Sequence, residues 1–332
     1  MPSYPTPDPR LGPRPAGAVA LAGSRYVWFD AVIGAQGQRQ PVSGLPEPIH
    51  KALVHPAAQL CGIALDQPRI MGIVNVTPDS FSDGGDAATV ATALARVREM
   101  IGADILDIGG ESTRPGAEPV PVTAEIARVV PVIRAIREAG ITTPISIDTR
   151  KAEVARAALE AGAAMVNDVS ALRHDPDLAQ VVAEAGVPLC LMHSLGDPTT
   201  MQNDPQYADV VTEVRDHLAE RVDFALSAGI ARDRLVVDPG IGFGKTLDHN
   251  MALLRNIADF HGLGLPLLLG VSRKRFIGTI GGGENPKDRM PGSVALALHG
   301  AAMGVQILRV HDVAQTRQAL ALWQALWTKD DA

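Results

Sequence analysis

Asp148, Asn167 and Asp238 each lie at the end of a short apolar run, in PISID, MVND and LVVD. A carboxylate accepts two parallel hydrogen bonds from a guanidine-shaped group, and an asparagine amide donates and accepts together. The three suit a flat heterocycle with an amidine edge. One such residue alone more often caps a helix or bonds a loop; three at strand ends favour a binding site. SRK (272–274) and RVH (309–311) close two further runs and bring Lys274, Arg309 and His311 to the same rim. Gly292 and Ser293 open the helix between those two runs, where free backbone N–H groups also favour an anion. The expected ligand is therefore multiply anionic at one end. Asn75 ends the first run, and its amide oxygen is a hard ligand suited to Mg²⁺, which keeps several waters and binds largely through substrate phosphates.

Other candidates are weaker. DPGIGFGK (238–245) lacks the spacing of a phosphate-binding glycine loop; its glycines instead let backbone approach a flat ligand beneath Asp238, with Phe243 supplying an apolar contact. Glu111 offers an acid or base, and its loop position makes a structural bond an equal reading. His193, His299 and His311 do not sit at zinc-ligand spacing, and no Ser-His-Asp arrangement stands out.

Eight apolar runs must carry these groups: 69–76, 103–110, 143–150, 163–170, 187–194, 234–240, 265–274 and 305–312. Helical segments fall between them and after the last, at 87–101, 122–139, 150–161, 176–185, 205–228, 248–260, 292–303 and 313–328. The runs are apolar on both faces, as buried parallel strands are. The pattern predicts an α/β fold, a TIM (β/α)8 barrel with a short N-terminal extension. Such barrels place their active site at the C-terminal ends of the strands, here Asn75, Asp107, Asp148, Asn167, His193, Asp238, Lys274 and Arg309. Loops 75–86 and 109–121 are rich in glycine and proline, follow strands, and have the length of lids or binding loops.

A single barrel of about 250 residues plus an extension accounts for the 332 residues. Residues 1–17 carry six prolines and are expected to stay disordered; 18–68, with Trp28 and Phe29 wanting burial, form an extension packed on the barrel, at its N-terminal face; 69–329 form the catalytic domain. The net charge of −7 argues against a nucleic-acid surface, though not against a locally basic pocket. No run approaches the ~20 apolar residues that span a bilayer. Cys61 and Cys190 are too few for a disulfide framework, and no secretory signal precedes them, so a cytoplasmic location is expected.

MGIVNVTPDSFSDGG, DIGGESTRPGA, PISIDTRK, MVNDVSAL, DPGIGFGK, GVSRKRF and ILRVHDV together resemble the signature segments of the dihydropteroate synthase family, in family order over about 69–328. The resemblance implies an eight-stranded barrel that joins a 6-hydroxymethyl-dihydropterin diphosphate to 4-aminobenzoate in folate synthesis. It further implies that Asp148, Asn167, Asp238 and Lys274 hold the pterin, with Asp148, Asp238 and Lys274 closest to the chemistry. Thr113, Arg309 and His311 would contact the diphosphate, Asn75 would bind Mg²⁺, and Arg114, Phe243 and Ser272 would surround the aminobenzoate. The family is a sulfonamide target, and the resemblance suggests a homodimer. Arg275 departs from members with a small hydroxyl after the SRK lysine, which leaves open how the aminobenzoate carboxylate is held. A pterin-binding methyltransferase on the same barrel and a non-catalytic pterin carrier are the alternatives; the STRPG, SRK and RVHD segments speak against the first, and retention of the cations and both loops against the second.

Overall fold

The structure, a computed structural model, describes residues 5–34, 36–56, 59–76, 86–112, 116–196 and 199–328. Runs of Val, Ile and Leu form the parallel strands β1 (Arg69–Asn75), β2 (Ile105–Gly109), β3 (Ile145–Asp148), β4 (Met165–Asp168), β5 (Leu189–Met192), β6 (Leu235–Asp238), β7 (Leu268–Leu269) and β8 (Ile307–Val310). Their hydrogen-bonded order is β6-β5-β4-β3-β2-β1-β8-β7. A parallel bridge between Val237 and Leu267, with Val237 N donating to Pro266 O at 3.0 Å, joins the two ends into a barrel. The helices are α1 (Asp86–Glu99), α2 (Val122–Glu138), α3 (Ala152–Ala161), α4 (Asp177–Ala185), α5 (Val210–Ser227), α6 (Leu247–Arg255), α7 (Arg275–Gly281), α8 (Met290–Ala302) and α9 (Val313–Trp327).

Side chains alternate across a strand, so every second residue faces the barrel axis. At the N-terminal ends of the strands these positions are apolar: Met71, Ile105, Met165, Cys190, Val236, Leu268 and Ile307 pack into one cluster. Leu60 and Leu65, from the segment before β1, belong to the same cluster and are buried with it. The floor of the barrel is thus closed by the extension. Two or more residues further along, the inward positions turn polar. Asp107 is in register with Ile73 and Ser146, and Asp148 with Gly109 and Asn167.

The extension is built from backbone pairing. Ala31–Ile33 lies between Thr6–Pro7 and Arg39–Pro41, all antiparallel, and Val19–Ala20 pairs with Trp28–Phe29 ahead of a helix at Glu47–Val54. Phe29 is fully buried; Trp28 is half-buried, its Nε1 donating to Gly12 O at 2.9 Å. Residues 5–17 therefore depart from the expected loose leader. Asp8 N donates to Ala31 O at 3.1 Å, and Arg10 and Trp28 exchange both backbone bonds. Pro7, the proline within the paired strand, sits on the sheet's edge, where a missing donor does not prevent this pairing.

One boundary matters for chemistry. The run 265–274 was expected to be strand throughout, but the strand ends at Leu269. Lys274 is consequently not a strand end: it is the N-cap of α7, a seven-residue helix that the glycine-rich RFIGTIG gave no sign of.

Candidate active site

Arg309, on β8, organises the mouth of the barrel. Its Nε donates to Asp107 Oδ2 at 2.6 Å and its Nη2 to Asp148 Oδ2 at 2.7 Å. Asn167 Nδ2 donates to the same Asp107 Oδ2 at 3.1 Å. Strands β2, β3, β4 and β8 are thereby joined by one polar ring. Gly270, just past β7, lies beside it: a Cβ there would make ordinary contacts, 3.8 Å from Asp238 Oδ2 and 4.0 Å from Arg309 Cβ. Asp238 stands at the end of β6, its Oδ1 accepting from Gly240 N at 2.7 Å.

Asp107, Asp148, Asn167 and Asp238 are all buried. Burial pushes Asp148 up to about 7, with Asp107 adding to the rise and Arg309 opposing it. Burial also raises Asp238, against the pull of Lys274. Asp107 Oδ1, Asp148 Oδ1 and Ser146 Oγ are buried without a hydrogen-bond partner among the described residues. Unsatisfied buried oxygens in a charged mouth are acceptors awaiting donors, since each costs free energy while it remains unmet. This is the chemistry of a site for a flat, donor-edged ring.

The cations divide between two settings. Lys274 is half-buried; its Nζ donates to Ile241 O and lies 4.4 Å from the Phe243 ring centroid. Burial lowers it to about 7, although Asp238 favours its charged form. His311 binds Ser272 Oγ through its backbone N at 3.1 Å and through Nδ1 at 3.0 Å, so these two predicted residues fix one another. Arg273, in a left-handed conformation with φ of 58°, pairs with Asp312, while Arg275 is exposed at the start of α7.

The glycine loop after β6 is held from outside. Ile241 O accepts from Lys274, Gly242 O from Gln202 Nε2 at 2.9 Å, Phe243 O from Lys245 Nζ at 3.0 Å and Gly244 O from the Tyr207 hydroxyl at 2.9 Å. Gly240 has a φ of +66°, and a Cβ there would fall 1.8 Å from His193 O. Only glycine lets the loop pass so close to β5. Lys245 Nζ also meets His193 Nδ1 at 2.8 Å; burial, then the charge of Lys274, drives this lysine well below its usual range.

Asn75 stands at the end of β1, half-buried, and its side chain makes no hydrogen bond with the described residues. Among the described residues no three His, Cys, Asp or Glu groups gather as a metal cage. A lone amide oxygen beside an anion site is compatible with Mg²⁺, whose remaining ligands are waters and phosphate. Thr113 and Arg114 lie outside the described residues. Glu111 is not free to act as an acid or base: Arg150 Nη2 donates to its Oε1 at 2.8 Å and Lys151 Nζ bonds its Oε2. Lys151 also reaches Glu125 Oε2 and Val120 O, both at 2.6 Å.

Of the predicted residues, contacts join Asp148, Asn167 and Arg309 through Asp107, Lys274 to Phe243, and Ser272 to His311. Sequence reasoning places Asp107 on the rim as a strand end but assigns it no particular role, and it assigns Lys245 none. A carboxylate in the middle of the apolar run ILDIG was the available signal, because charges are rarely sealed in unless paired.

The chain is similar to proteins of known family and structure. Residues 71–311 match the family described as pterin binding enzyme. The chain is 46% identical to a dihydropteroate synthase from Synechocystis over 260 residues, covering 78% of this chain and 90% of that one. A Xanthomonas albilineans dihydropteroate synthase solved with 4-aminobenzoic acid superposes with a TM-score of 0.77 at 50% identity, covering 82% and 99% of the two chains. The same enzyme in complex with 7,8-dihydropteroate gives 0.74 at 47%, covering 82% and 100%. A Yersinia pestis dihydropteroate synthase with a sulfonamide drug complex gives 0.75 at 43%, covering 80% and 96%.

Proposed function

The chain belongs to the dihydropteroate synthases within the pterin-binding enzyme family, and from that we infer the reaction at its barrel mouth. It is a transferase that condenses (7,8-dihydropterin-6-yl)methyl diphosphate with 4-aminobenzoate, giving 7,8-dihydropteroate and diphosphate for folate synthesis. The observation that carries this reading is the ring of acceptors around Arg309, with a buried Asp148 oxygen that has no partner among the described residues.

In this reading Asp148, Asn167 and Asp238 take the amidine edge of the pterin, and Lys274 takes an acceptor on its far side. The bond between the pterin methylene and the diphosphate oxygen breaks, and its electron pair leaves with the diphosphate. Arg309 and His311 receive the growing negative charge, with Thr113 joining them. The field of Asp148 and Asp238 favours the positive charge left spread over the ring and methylene. Phe243 and Ser272 border the space for the aminobenzoate, to which the family resemblance adds Arg114; the neutral amine attacks the methylene and then gives up a proton to water. Mg²⁺ held by Asn75 would neutralise the diphosphate as it departs. Positioning and electrostatics supply most of the acceleration.

The likeness to a sulfonamide complex makes sulfonamides, which share the arylamine shape, the expected inhibitors. A homodimer and a cytoplasmic location belong to the same reading. Two unpaired thiols support the second, and light scattering on the purified chain tests the first.

Mixing the chain with the pterin diphosphate, Mg²⁺ and 4-aminobenzoate should yield diphosphate and dihydropteroate in equal amounts. Tight pterin binding without diphosphate release would instead indicate a carrier. Methyl transfer to a corrinoid acceptor would indicate a methyltransferase.

A further inference from the structure

We propose that Asp107 fixes the direction of the Asn167 amide and thereby makes the mouth selective for a 2-amino-4-oxo ring over its 2,4-dioxo counterpart. The inference rests on the pterin reading above and adds a specificity-determining residue to it.

Asp107 has no exposed surface, and an ion-paired carboxylate can only accept hydrogen bonds. Its Oδ2 takes Arg309 Nε at 2.6 Å and Asn167 Nδ2 at 3.1 Å. The amide nitrogen is therefore anchored at depth. Asn167 Oδ1 has no partner among the described residues and is not one of the sealed, unpartnered atoms, so it is left to a ligand. Turning the amide over would set two acceptors against each other in a buried place, which the missing bond disfavours.

The order of donor and acceptor on the ligand edge is what a fixed amide reads. A 2-amino-4-oxo ring has an acceptor at N1 beside a donor on its 2-amino group. A 2,4-dioxo ring has the reverse, N1–H beside an acceptor at O2. Nδ2 spends one of its two hydrogens on Asp107, so the second stands beside Oδ1 as a donor and the amide offers the ligand one donor and one acceptor in fixed order. Held in that direction, it meets the first ring as a complement and the second as two like pairs. Sites built on hydrogen bonding discriminate strongly in this way, because a mismatched ligand leaves buried groups unpaired. Asp107 touches neither ring itself in this scheme; it acts through Asn167.

The test is a fluorescence titration of the full chain with pterin (2-amino-4-oxopteridine) and with lumazine (2,4-dioxopteridine). Wild type should prefer pterin. Asp107→Leu removes the acceptor that directs Asn167, and the preference should narrow by about tenfold or more. Asp107→Asn can place its own oxygen where Oδ2 stood, so it should keep the preference. Equal weakening of both ligands in Asp107→Leu would overturn the inference, since a purely structural role predicts no change in the ratio. Should Asp107→Leu not fold, neutron diffraction on wild-type crystals decides. Deuterium on the Asn167 atom facing Asp107 upholds the idea, and an oxygen there refutes it. The condensation assay on wild type is run alongside. Absence of dihydropteroate with the pterin preference intact would count against the reaction and leave this inference standing.

Discussion

Replacing Arg309 with methionine should destabilise the chain in a pH-dependent way. The substitution keeps an apolar stem but removes the fork that holds Asp107 and Asp148. Breaking a buried ion pair by removing one partner costs roughly 3–5 kcal/mol. The Arg309 side chain is 21% exposed while Asp107 is sealed, so the lower end, about 3 kcal/mol, is expected at alkaline pH. Burial already holds Asp148 at about 7, and Arg309 is the group restraining the rise. Without it the carboxyl climbs further. A carboxyl raised in the folded chain keeps its proton where the unfolded chain has lost it, so stability declines as pH rises through that window. The window opens near the ordinary aspartate value and extends to the folded one; in the variant it extends higher. Each added unit is worth about 1.4 kcal/mol once pH exceeds it. Urea denaturation of wild type and Arg309→Met at about pH 5.5 and about pH 8 reads the difference. The gap should be larger at the higher pH by at least about 1.4 kcal/mol, with Arg309→Lys falling between, because an ammonium restores charge but not the fork. Equal gaps at both values, or no loss at the higher one, would refute the account of Arg309 as the counter-charge for these carboxylates.

Asp238→Asn should weaken pterin binding by about tenfold to a hundredfold, the worth of charge-assisted hydrogen bonds, as measured by titration. The pH profile of kcat/KM should be narrow and centred near neutrality: Asp148 gains its charge above about 7 and Lys274 loses its charge above about 7. Lys274→Arg should then extend the alkaline limb, and an unchanged profile would exclude Lys274 as the group responsible. Gly240→Ala should lower the melting temperature sharply, because its methyl would fall 1.8 Å from His193 O at a φ of +66°; a normal melt would mean that the loop can move aside.

The barrel was legible because buried parallel strands leave continuous apolar runs, and β1 to β6 lie within the predicted ranges. The seventh strand was overread. LPLLLGVSRK stays apolar well past Leu269, and hydrophobicity alone does not mark where pairing stops. The acceptors Asp148, Asn167 and Asp238 could be seen because each breaks an apolar run at its end. Asp107 sits inside one, and its part depends on Arg309, which is 202 residues away in the chain. Lys245 was set aside with the failed phosphate-loop motif; that it props Phe243 O and meets His193 is a fact of tertiary approach alone. The leader's pairing was invisible for the same reason. Its proline content describes the segment in isolation, and its partner is the backbone of 28–33.

Leu60 and Leu65 stopper the barrel at the end opposite the chemistry. A chain trimmed to begin at β1 would be a tube open at both ends, with water admitted to Met71, Met165 and Cys190. Heat tolerance and catalysis are consequently adjustable at separate addresses. Exchanges among the stopper's hydrophobes should move the melting point while leaving the electrostatics of the mouth as they are, whereas the extension itself cannot be discarded as ornament.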